Sequence, residues 1–224
     1  MQQNQQRKQD SRPELSPPPH VRRRPVANPG KVAPPTNNNT EIRRSTKNMT
    51  NHEKTMFGVS MSQEWQDINI WERFFQTFTI KTFIELGSGR GGSSLFFGLQ
   101  CAQRGIEFHT FDNQINFDPD DGLMAAVNIR KAFHNIDIFV DKGIVIDLIK
   151  NSPKPLAIFF DDGNKPLEWK TFGPHTQPGD FCIVHDWGTE FKPEDVGDLP
   201  VTRIMEKLAD GRGIGWKCMW FVRK

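Results

Sequence analysis

The chain has 224 residues, of which 36% are hydrophobic and 25% are charged, and its formal net charge is +2. No apolar run approaches the roughly 18 residues of a membrane span, and the first residues lack the apolar core of a signal peptide. Three cysteines without a CxxC pair argue against a disulfide framework or a structural zinc site. We therefore expect reduced thiols in the core and a cytoplasmic location.

The amino-terminal part of the chain differs from the rest in composition. Residues 1–50 contain no Phe or Trp and carry 10 Lys/Arg against 3 Asp/Glu, whereas all 24 Phe and Trp residues lie from Phe57 to Phe221. Such a segment buries too little apolar surface to offset its ordering entropy. The sequence therefore predicts a disordered, basic, Gln/Pro/Asn-rich tail over residues 1–56 and one domain over residues 57–224. The tail either solubilises or tethers the domain, or it attracts nucleic acid or another acidic partner.

Within the domain, helical and strand patterns alternate. Aromatic residues from Trp65 to Phe78 recur at three- and four-residue intervals, which predicts a helix that packs on the domain. Strands that alternate with helices predict an α/β fold with a mainly parallel sheet and helices on both faces. The strands are predicted over residues 81–86, 107–112, 137–140, 156–161, 181–186 and 216–222, and the later helices over 93–104, 122–133, 144–150, 166–174 and 201–209.

A glycine-rich loop follows the first of these strands, with glycines at 87, 89 and 91. It lets the backbone turn sharply and approach a ligand, and the next helix offers free N–H groups. Glu85 lies two positions before the first glycine, and Asp112 ends the next strand, where a carboxylate can accept both hydroxyls of a ribose. A dinucleotide-binding fold is the rival interpretation, because Gly92 fits the last glycine of G-x-G-x-x-G. A carboxylate at position 85, however, suits an ammonium-bearing cofactor better than a pyrophosphate.

Charged side chains cluster after two later strands, in residues 159–165 (FFDDGNK) and 184–190 (VHDWGTE). The carboxyl ends of adjacent strands are where open α/β sheets bind ligands. His185 is the candidate general base, because its ordinary pKa lies near neutrality and the acid beside it can orient the ring. Lys165 is the alternative base, and Asp162 is expected to cap the following helix.

This order of motifs resembles the class I S-adenosylmethionine (SAM)-dependent methyltransferases, whose first motif reads E/D-x-G-x-G-x-G and whose second strand ends in a ribose-binding acid. The resemblance implies a Rossmann-like sandwich with a mostly parallel seven-stranded sheet, and SAM as the cofactor. It implies that Asp112 holds the ribose, that Asn113 lies beside the adenine, and that Asp141, at the end of the third strand, caps the adenine amino group. The residues expected to face the amino-acid part of SAM are Glu85, Gly87, Ser88, Gly89 and Gly91.

Within that superfamily, the pattern is most similar to small-molecule and sugar O-methyltransferases of the cephalosporin-hydroxylase and rhamnosyl-methyltransferase type. The similarity includes the turn at residues 177–180 (QPGD) and implies a small-molecule or glycan acceptor. Because such relatives commonly bind a divalent metal, Asp161 and Asp186 are candidate Mg²⁺ ligands as well as catalytic residues. Trp187 stands where a third ligand is expected, so a metal-free site stays open. The alternative functions are an RNA or other nucleic-acid methyltransferase recruited by the basic tail, and a catalytically silent SAM-binding or scaffold domain.

Overall fold

The computed structural model describes residues 54–120, 122–205 and 217–224. Its strands are β1 (Thr55–Met56), β2 (Val59–Ser60), β3 (Thr82–Leu86), β4 (Glu107–Asp112), β5 (Phe133–Asn135), β6 (Leu156–Phe160), β7 (Phe181–Val184), β8 (Val201–Ile204) and β9 (Met219–Arg223). Its helices are α1 (Trp65–Thr77), α2 (Gly92–Arg104), α3 (Gly122–Ala126), α4 (Ile129–Ala132), α5 (Lys142–Asn151) and α6 (Lys165–Phe172).

Strands β3 to β9 form one sheet in the order β5-β4-β3-β6-β7-β9-β8, and β1 pairs with β2 in a separate hairpin. The first five strands of that order are parallel to one another, whereas β9 is antiparallel to both β7 and β8. The predicted α/β class with a mostly parallel seven-stranded sheet is thus confirmed.

The core lies on both faces of the sheet. β3 and β6 are buried along their whole length and pair in parallel. Because successive side chains of a strand point to opposite faces, Phe83 packs into a cluster with α1 and α2, whereas Ile84 packs into a second cluster with α5 and α6. Helices therefore cover both faces, as strands with continuous apolar sequences require.

The helix α1 packs on the domain as predicted through Trp71, Phe74 and Phe75, whereas Trp65, the first residue of the predicted aromatic face, is 53% exposed. Trp71 is fully buried and meets Phe97 and Phe159 edge-on, with ring centroids 4.9 and 5.0 Å apart. Such pairs stabilise a core by about 0.5–1.5 kcal/mol each beyond the burial of their area. These contacts fix α1 against the face of β6, next to the strand end that carries the charged residues.

The third parallel strand lies earlier than predicted, at β5 instead of residues 137–140. Asp137 explains the difference, because its Oδ1 accepts hydrogen bonds from the N–H groups of Phe139 (2.9 Å) and Val140 (3.2 Å). An acidic side chain that bonds the backbone two and three residues ahead makes a turn, which interrupts an extended run.

Two predicted helices also differ. The helix predicted over residues 122–133 is divided into α3 and α4, because Asn128 has a left-handed conformation (φ 55°) between them. The sequence predicts a helix over residues 201–209, but residues 201–204 form strand β8, because this β-branched segment pairs with β9 at the edge of the sheet. Residues 206–209, and Trp216 of the last predicted strand, lie outside the described residues.

The boundary predicted between tail and domain falls inside the β1–β2 hairpin. The N–H of Met61 donates to the carbonyl of Lys54 (2.9 Å), and the Lys54 ammonium pairs with Glu64 (2.7 Å). Residues 54–56 therefore belong to the folded hairpin, and residues 1–53 of the predicted tail lie outside the described residues. In the three described segments, no helix has the length and apolar character needed to cross a membrane.

Candidate functional site

A cleft with a volume of about 520 Å³ opens at the carboxyl ends of β3, β4, β6 and β7. This is the edge at which open α/β sheets bind ligands. The predicted site residues that line it are Gly87, Ser88, Gly89, Asp112, Asp161, Lys165, His185 and Asp186. The predicted site residues that do not line it are Glu85, Gly91, Asn113 and Asp141.

The glycine loop is held between two strands. The N–H groups of Gly87 and Ser88 donate to the carbonyl of Phe111 in β4, at 2.8 and 3.0 Å. On the other side, a Cβ at Gly87 would lie 2.4 Å from the carbonyl oxygen of Asp161, and its φ of 94° is in the region that favours glycine. Gly91, with φ 86°, turns the chain into the first residue of α2. The sequence therefore needs glycine at 87 for close packing and at 91 for the turn into the helix.

Asp112 closes one end of the loop. It is almost fully buried, and its Oδ2 accepts a hydrogen bond from the N–H of Gly89 (2.8 Å) while its Oδ1 accepts one from the N–H of Gln114 (2.9 Å). A carboxylate oxygen has two lone pairs, so each oxygen can accept one more donor from a ligand in the cleft. Asp112 thus lines the cleft at the end of β4 with a fixed orientation, and its role toward a ribose stays a prediction.

Glu85 lies behind the loop rather than in the cleft. Its Oε2 accepts hydrogen bonds from the hydroxyls of Ser94 (2.5 Å) and Thr110 (2.6 Å), whereas its buried Oε1 has no partner among the described residues. Burial raises the pKa of Glu85 to about 7, against the lowering effect of the two hydroxyls. Direct contact between Glu85 and a cofactor amine remains a prediction, because Glu85 does not line the cleft.

The two residues predicted beside the adenine are exposed. Asn113 follows β4 directly, and Asp141 is the N-cap residue of α5, well beyond the end of β5 at Asn135. Asp141 was expected at the end of the third strand, and the earlier position of β5 makes that placement wrong. Its role toward the adenine stays a prediction.

An acid–histidine cluster lies at the ends of β6 and β7. The Nδ1 of His185 lies 3.0 Å from Asp161 Oδ1 and 3.1 Å from Asp186 Oδ2. Burial lowers the pKa of His185, but the two carboxylates outweigh it and raise the value to about 10. The imidazole therefore carries a proton at neutral pH and donates to the carboxylates. In the free protein this argues against the general-base role that the sequence predicted for His185.

Lys165, the first residue of α6, completes the cluster. Its Nζ lies 2.9 Å from Glu190 Oε2, 3.2 Å from Asp186 Oδ2 and 3.5 Å from Asp161 Oδ1, and its side chain is 6% exposed. Burial lowers the pKa of this ammonium, but the three carboxylates raise it above the usual range. Lys165 is therefore a charged donor in the free protein, which also argues against its predicted role as the alternative base.

Asp162 differs from the prediction. Asn164 caps α6, because its Oδ1 accepts a hydrogen bond from the N–H of Leu167 (3.2 Å). Asp162 lines the cleft instead, and burial together with Asp112 and Asp137 raises its pKa to about 7. The prediction that Asp162 caps the helix is therefore wrong.

The sequence analysis assigned no role to several residues in or behind the cleft. Gln63 Nε2 donates to Asp161 Oδ2 (2.7 Å), and Lys217 Nζ lies 3.5 Å from Asp186 Oδ1. Glu190 pairs with Lys165, as described above. Asp67 is buried in α1 and accepts hydrogen bonds from the N–H groups of Lys217 and Cys218. One signal was present: Asp67 is a charged residue among the apolar positions of the helix predicted from Trp65.

The ligand atoms of Asp161, His185 and Asp186 lie within 4.8 Å of one another, close enough to surround one cation. A second buried group, Asp67, His185 and Cys218, meets the same distance criterion. The buried His185 Nε2 has no hydrogen-bond partner in the described part of the chain. Cys101, Cys182 and Cys218 are all buried free thiols, as the sequence predicted for core cysteines.

The sheet order and the glycine loop between β3 and α2 describe a Rossmann-like α/β fold. No protein-family profile and no curated protein matches the chain. Among solved structures, the N160 form of CmcI with SAH has a TM-score of 0.51 and 14% identity, over 88% of this chain and 96% of that one. This likeness shows the fold.

Two further solved structures have lower scores. The apo structure of the N160 form of CmcI has a TM-score of 0.45 and 17% identity, over 59% of this chain and 57% of that one. The O-methyltransferase TomG from Streptomyces achromogenes, in complex with SAM, has a TM-score of 0.43 and 14% identity, over 71% of this chain and 78% of that one. The chain thus spans a little over half the length of the apo CmcI structure.

Proposed function

We propose that this protein transfers a methyl group from SAM to a hydroxyl group of a polar small molecule or sugar. The observation that carries the proposal is that one cleft joins two different halves. The glycine loop and Asp112 form the half suited to an adenosyl cofactor, and Asp161, Lys165, His185 and Asp186 form a half suited to a hydroxylated acceptor.

The cofactor half offers what the nucleoside and amino-acid parts of SAM require. Asp112 can accept hydrogen bonds from the ribose hydroxyls, because each of its oxygens keeps a lone pair. The glycine loop allows close approach of the backbone, and the first turn of α2 presents N–H groups toward a carboxylate. The carboxylates of the cleft also provide favourable electrostatics for a sulfonium cation.

The acceptor half is polar. Met61 is the only residue with a large apolar side chain among those that line the cleft, and no Phe or Trp of the described chain lines it. A flat aromatic acceptor would need an apolar or aromatic surface to bury its rings. Ammonium, imidazolium and carboxylate groups instead match the alternating donors and acceptors of a polyol or sugar.

The chemistry needs positioning and one proton acceptor. The acceptor oxygen attacks the methyl carbon, the carbon–oxygen bond forms as the carbon–sulfur bond breaks, and S-adenosylhomocysteine leaves. We assign the hydroxyl proton to Asp161, because its backbone packs directly against Gly87 of the cofactor half. His185 and Lys165 act as donors that hold Asp161 and Asp186 in place. Alignment of donor and acceptor supplies much of the barrier reduction, so a weak base is sufficient.

The test measures binding and turnover separately. Calorimetry with S-adenosylhomocysteine should show one site per chain, and methyl-labelled SAM should label members of a panel of sugars and polyols in preference to catechols. Asp161→Asn should lower kcat by roughly 10²–10⁴-fold and change the affinity for S-adenosylhomocysteine less than about tenfold. The exposed Asp198→Asn, outside the cleft, is the matched control.

Absence of S-adenosylhomocysteine binding would refute the proposal. Binding without turnover on any acceptor would favour a silent SAM-binding domain. Preferential labelling of catechols would refute the assignment of a polar acceptor while leaving the methyltransferase activity in place.

A further inference from the structure

Every oxygen of the two carboxylates predicted to bind a metal already faces a nitrogen donor of the protein. Asp161 Oδ1 and Asp186 Oδ2 face both His185 Nδ1 and Lys165 Nζ, at 3.0 to 3.5 Å. Gln63 Nε2 donates to Asp161 Oδ2 (2.7 Å), and Asp186 Oδ1 lies 3.5 Å from the Lys217 ammonium. A hard divalent cation held between the two carboxylates would need the lone pairs of Asp161 Oδ1 and Asp186 Oδ2, each of which already faces two nitrogens.

Lys165 is fixed between Asp161 and Asp186, at the position that a bound divalent cation would need. It begins α6 directly after the cap residue Asn164, its side chain is almost completely buried, and Glu190 holds its Nζ at 2.9 Å. An ammonium has three donors, and three carboxylates surround this one. The ammonium is therefore not a mobile surface charge that could leave at little cost, since leaving would strand the partly buried carboxylates of Asp161 and Asp186.

The charges of the cluster also oppose a metal. The Lys165 ammonium lies at ion-pair distance from both Asp161 and Asp186, so it already offsets part of their negative charge. A divalent cation bound between the two carboxylates would lie within a few ångströms of this ammonium. Because like charges at such a distance repel each other, these residues do not fit Mg²⁺.

We propose that the Lys165 ammonium stands in place of the divalent cation, so that methyl transfer in this protein is independent of metal. Lys165 acts as a positioning residue: it offsets the mutual repulsion of Asp161 and Asp186 and fixes both carboxylates toward the acceptor. The proposal rests on the proposed function for its activity measurement only, because metal binding itself can be measured without an acceptor.

The proposal has a consequence for variants. Lys165→Met removes the charge at similar length and leaves Asp161, Asp186 and Glu190 as oxygen ligands without an ammonium. This variant should bind Mn²⁺ at least roughly tenfold more tightly than the unaltered protein, because the competing cation is gone. Lys165→Arg keeps a cation and should bind Mn²⁺ no more tightly than the unaltered protein does. Lys170→Met, which removes an exposed lysine of the same helix, is the matched control.

The experiment follows the electron paramagnetic resonance signal of free Mn²⁺ during titration with the full chain, with and without S-adenosylhomocysteine. The unaltered protein should leave the Mn²⁺ signal unchanged up to millimolar concentrations, and its turnover should differ less than about twofold between EDTA and added Mg²⁺. Calorimetry with S-adenosylhomocysteine in the same preparation confirms a competent cofactor site and separates failure of this proposal from failure of the proposed function.

Stoichiometric Mn²⁺ binding by the unaltered protein, or loss of turnover in EDTA that Mg²⁺ restores, would overturn the proposal. If Lys165→Met fails to fold, which far-ultraviolet circular dichroism reports, the Mn²⁺ titration of the unaltered protein still decides the matter. A folded Lys165→Met protein that binds Mn²⁺ no better than Lys170→Met would also overturn it.

Discussion

Replacing Glu85 with Gln tests how the buried acid behind the glycine loop affects stability. Glu85 is fully buried, and its burial raises the pKa from the ordinary 4.5 to about 7 in the folded chain. The folded state therefore holds this proton more tightly than the unfolded state does. Stability is lost as pH rises from about 4.5 through about 7 and then becomes constant, because both states are ionised above that range.

The magnitude follows from the two pKa values. One pKa unit corresponds to 1.36 kcal/mol, so a pKa of about 7 against 4.5 costs up to about 3 kcal/mol above neutrality, of which about 2.5 kcal/mol develops between about pH 5 and about pH 8. Glu85→Gln has no charge to bury at any pH. Relative to this variant, the unaltered protein should therefore lose about 2.5 kcal/mol of unfolding free energy between these two pH values.

Urea unfolding of both proteins at the two pH values measures this difference. Asp162 and His185, whose pKa values are also raised, change the unfolding free energy with pH as well. Because these changes occur in both proteins, they cancel in the difference between the two. The exposed Glu194→Gln is the control and should show no such divergence. A difference between the unaltered protein and Glu85→Gln that stays constant within about 0.5 kcal/mol from acid to alkaline pH would refute the assignment of a raised pKa.

Three further predictions concern the loop and the thiols. Asp112→Ala should weaken S-adenosylhomocysteine binding by roughly 10- to 100-fold in calorimetry, because it removes the ribose acceptor and the anchor of Gly89; unchanged affinity would exclude the ribose assignment. Gly87→Ala should lower the unfolding free energy by about 3 kcal/mol or more, because the new Cβ would overlap the Asp161 carbonyl. Gly89→Ala should lower it by about 1 kcal/mol, because no atom lies within 4 Å of that Cβ. Equal losses for the two variants in urea unfolding would contradict this prediction. Iodoacetamide should label none of the thiols in the native protein and all of them in urea, because burial raises the pKa values of Cys101, Cys182 and Cys218, and rapid native labelling would disprove it.

The central part of the fold was accessible from sequence because its signals are local. β6 is a continuous apolar strand, β3 is apolar except at Thr82 and Glu85, and the glycine loop marks the turn between β3 and α2. The wrong secondary-structure predictions lie where contacts between residues distant in sequence, or a local side-chain hydrogen bond, determine the conformation. β8 exists because β9 supplies hydrogen-bond partners, and β5 ends where Asp137 turns the chain. Short edge strands have too few residues for periodicity to distinguish them from a helix or a turn.

The same distinction separates the predicted site residues from the missed ones. Asp161 and His185 follow long apolar strands, so their positions at one edge of the sheet follow from parallel topology. Gln63 reaches Asp161 across 98 positions of sequence, and Lys217 reaches Asp186 from the segment before β9. No local pattern encodes such contacts. The charge state of His185 could not be predicted from the sequence either. It depends on the distances to Asp161 and Asp186, which only the folded chain defines.

The protonation of His185 connects the fold to the chemistry proposed for the cleft. Asp67 in α1 and the carboxylates after β6 and β7 lie around one buried imidazole, so the orientation of that ring depends on how α1 packs on the sheet. Asp161, the proposed proton acceptor, is in turn held by this imidazolium and by Gln63, which precedes α1. The aromatic packing of Trp71 therefore helps to position the catalytic residues, because it fixes α1 on the sheet. A substitution that loosens α1 should lower turnover more than it lowers cofactor affinity, because Asp67 of α1 lies beside His185, whereas Asp112 is held by the N–H groups of Gly89 and Gln114.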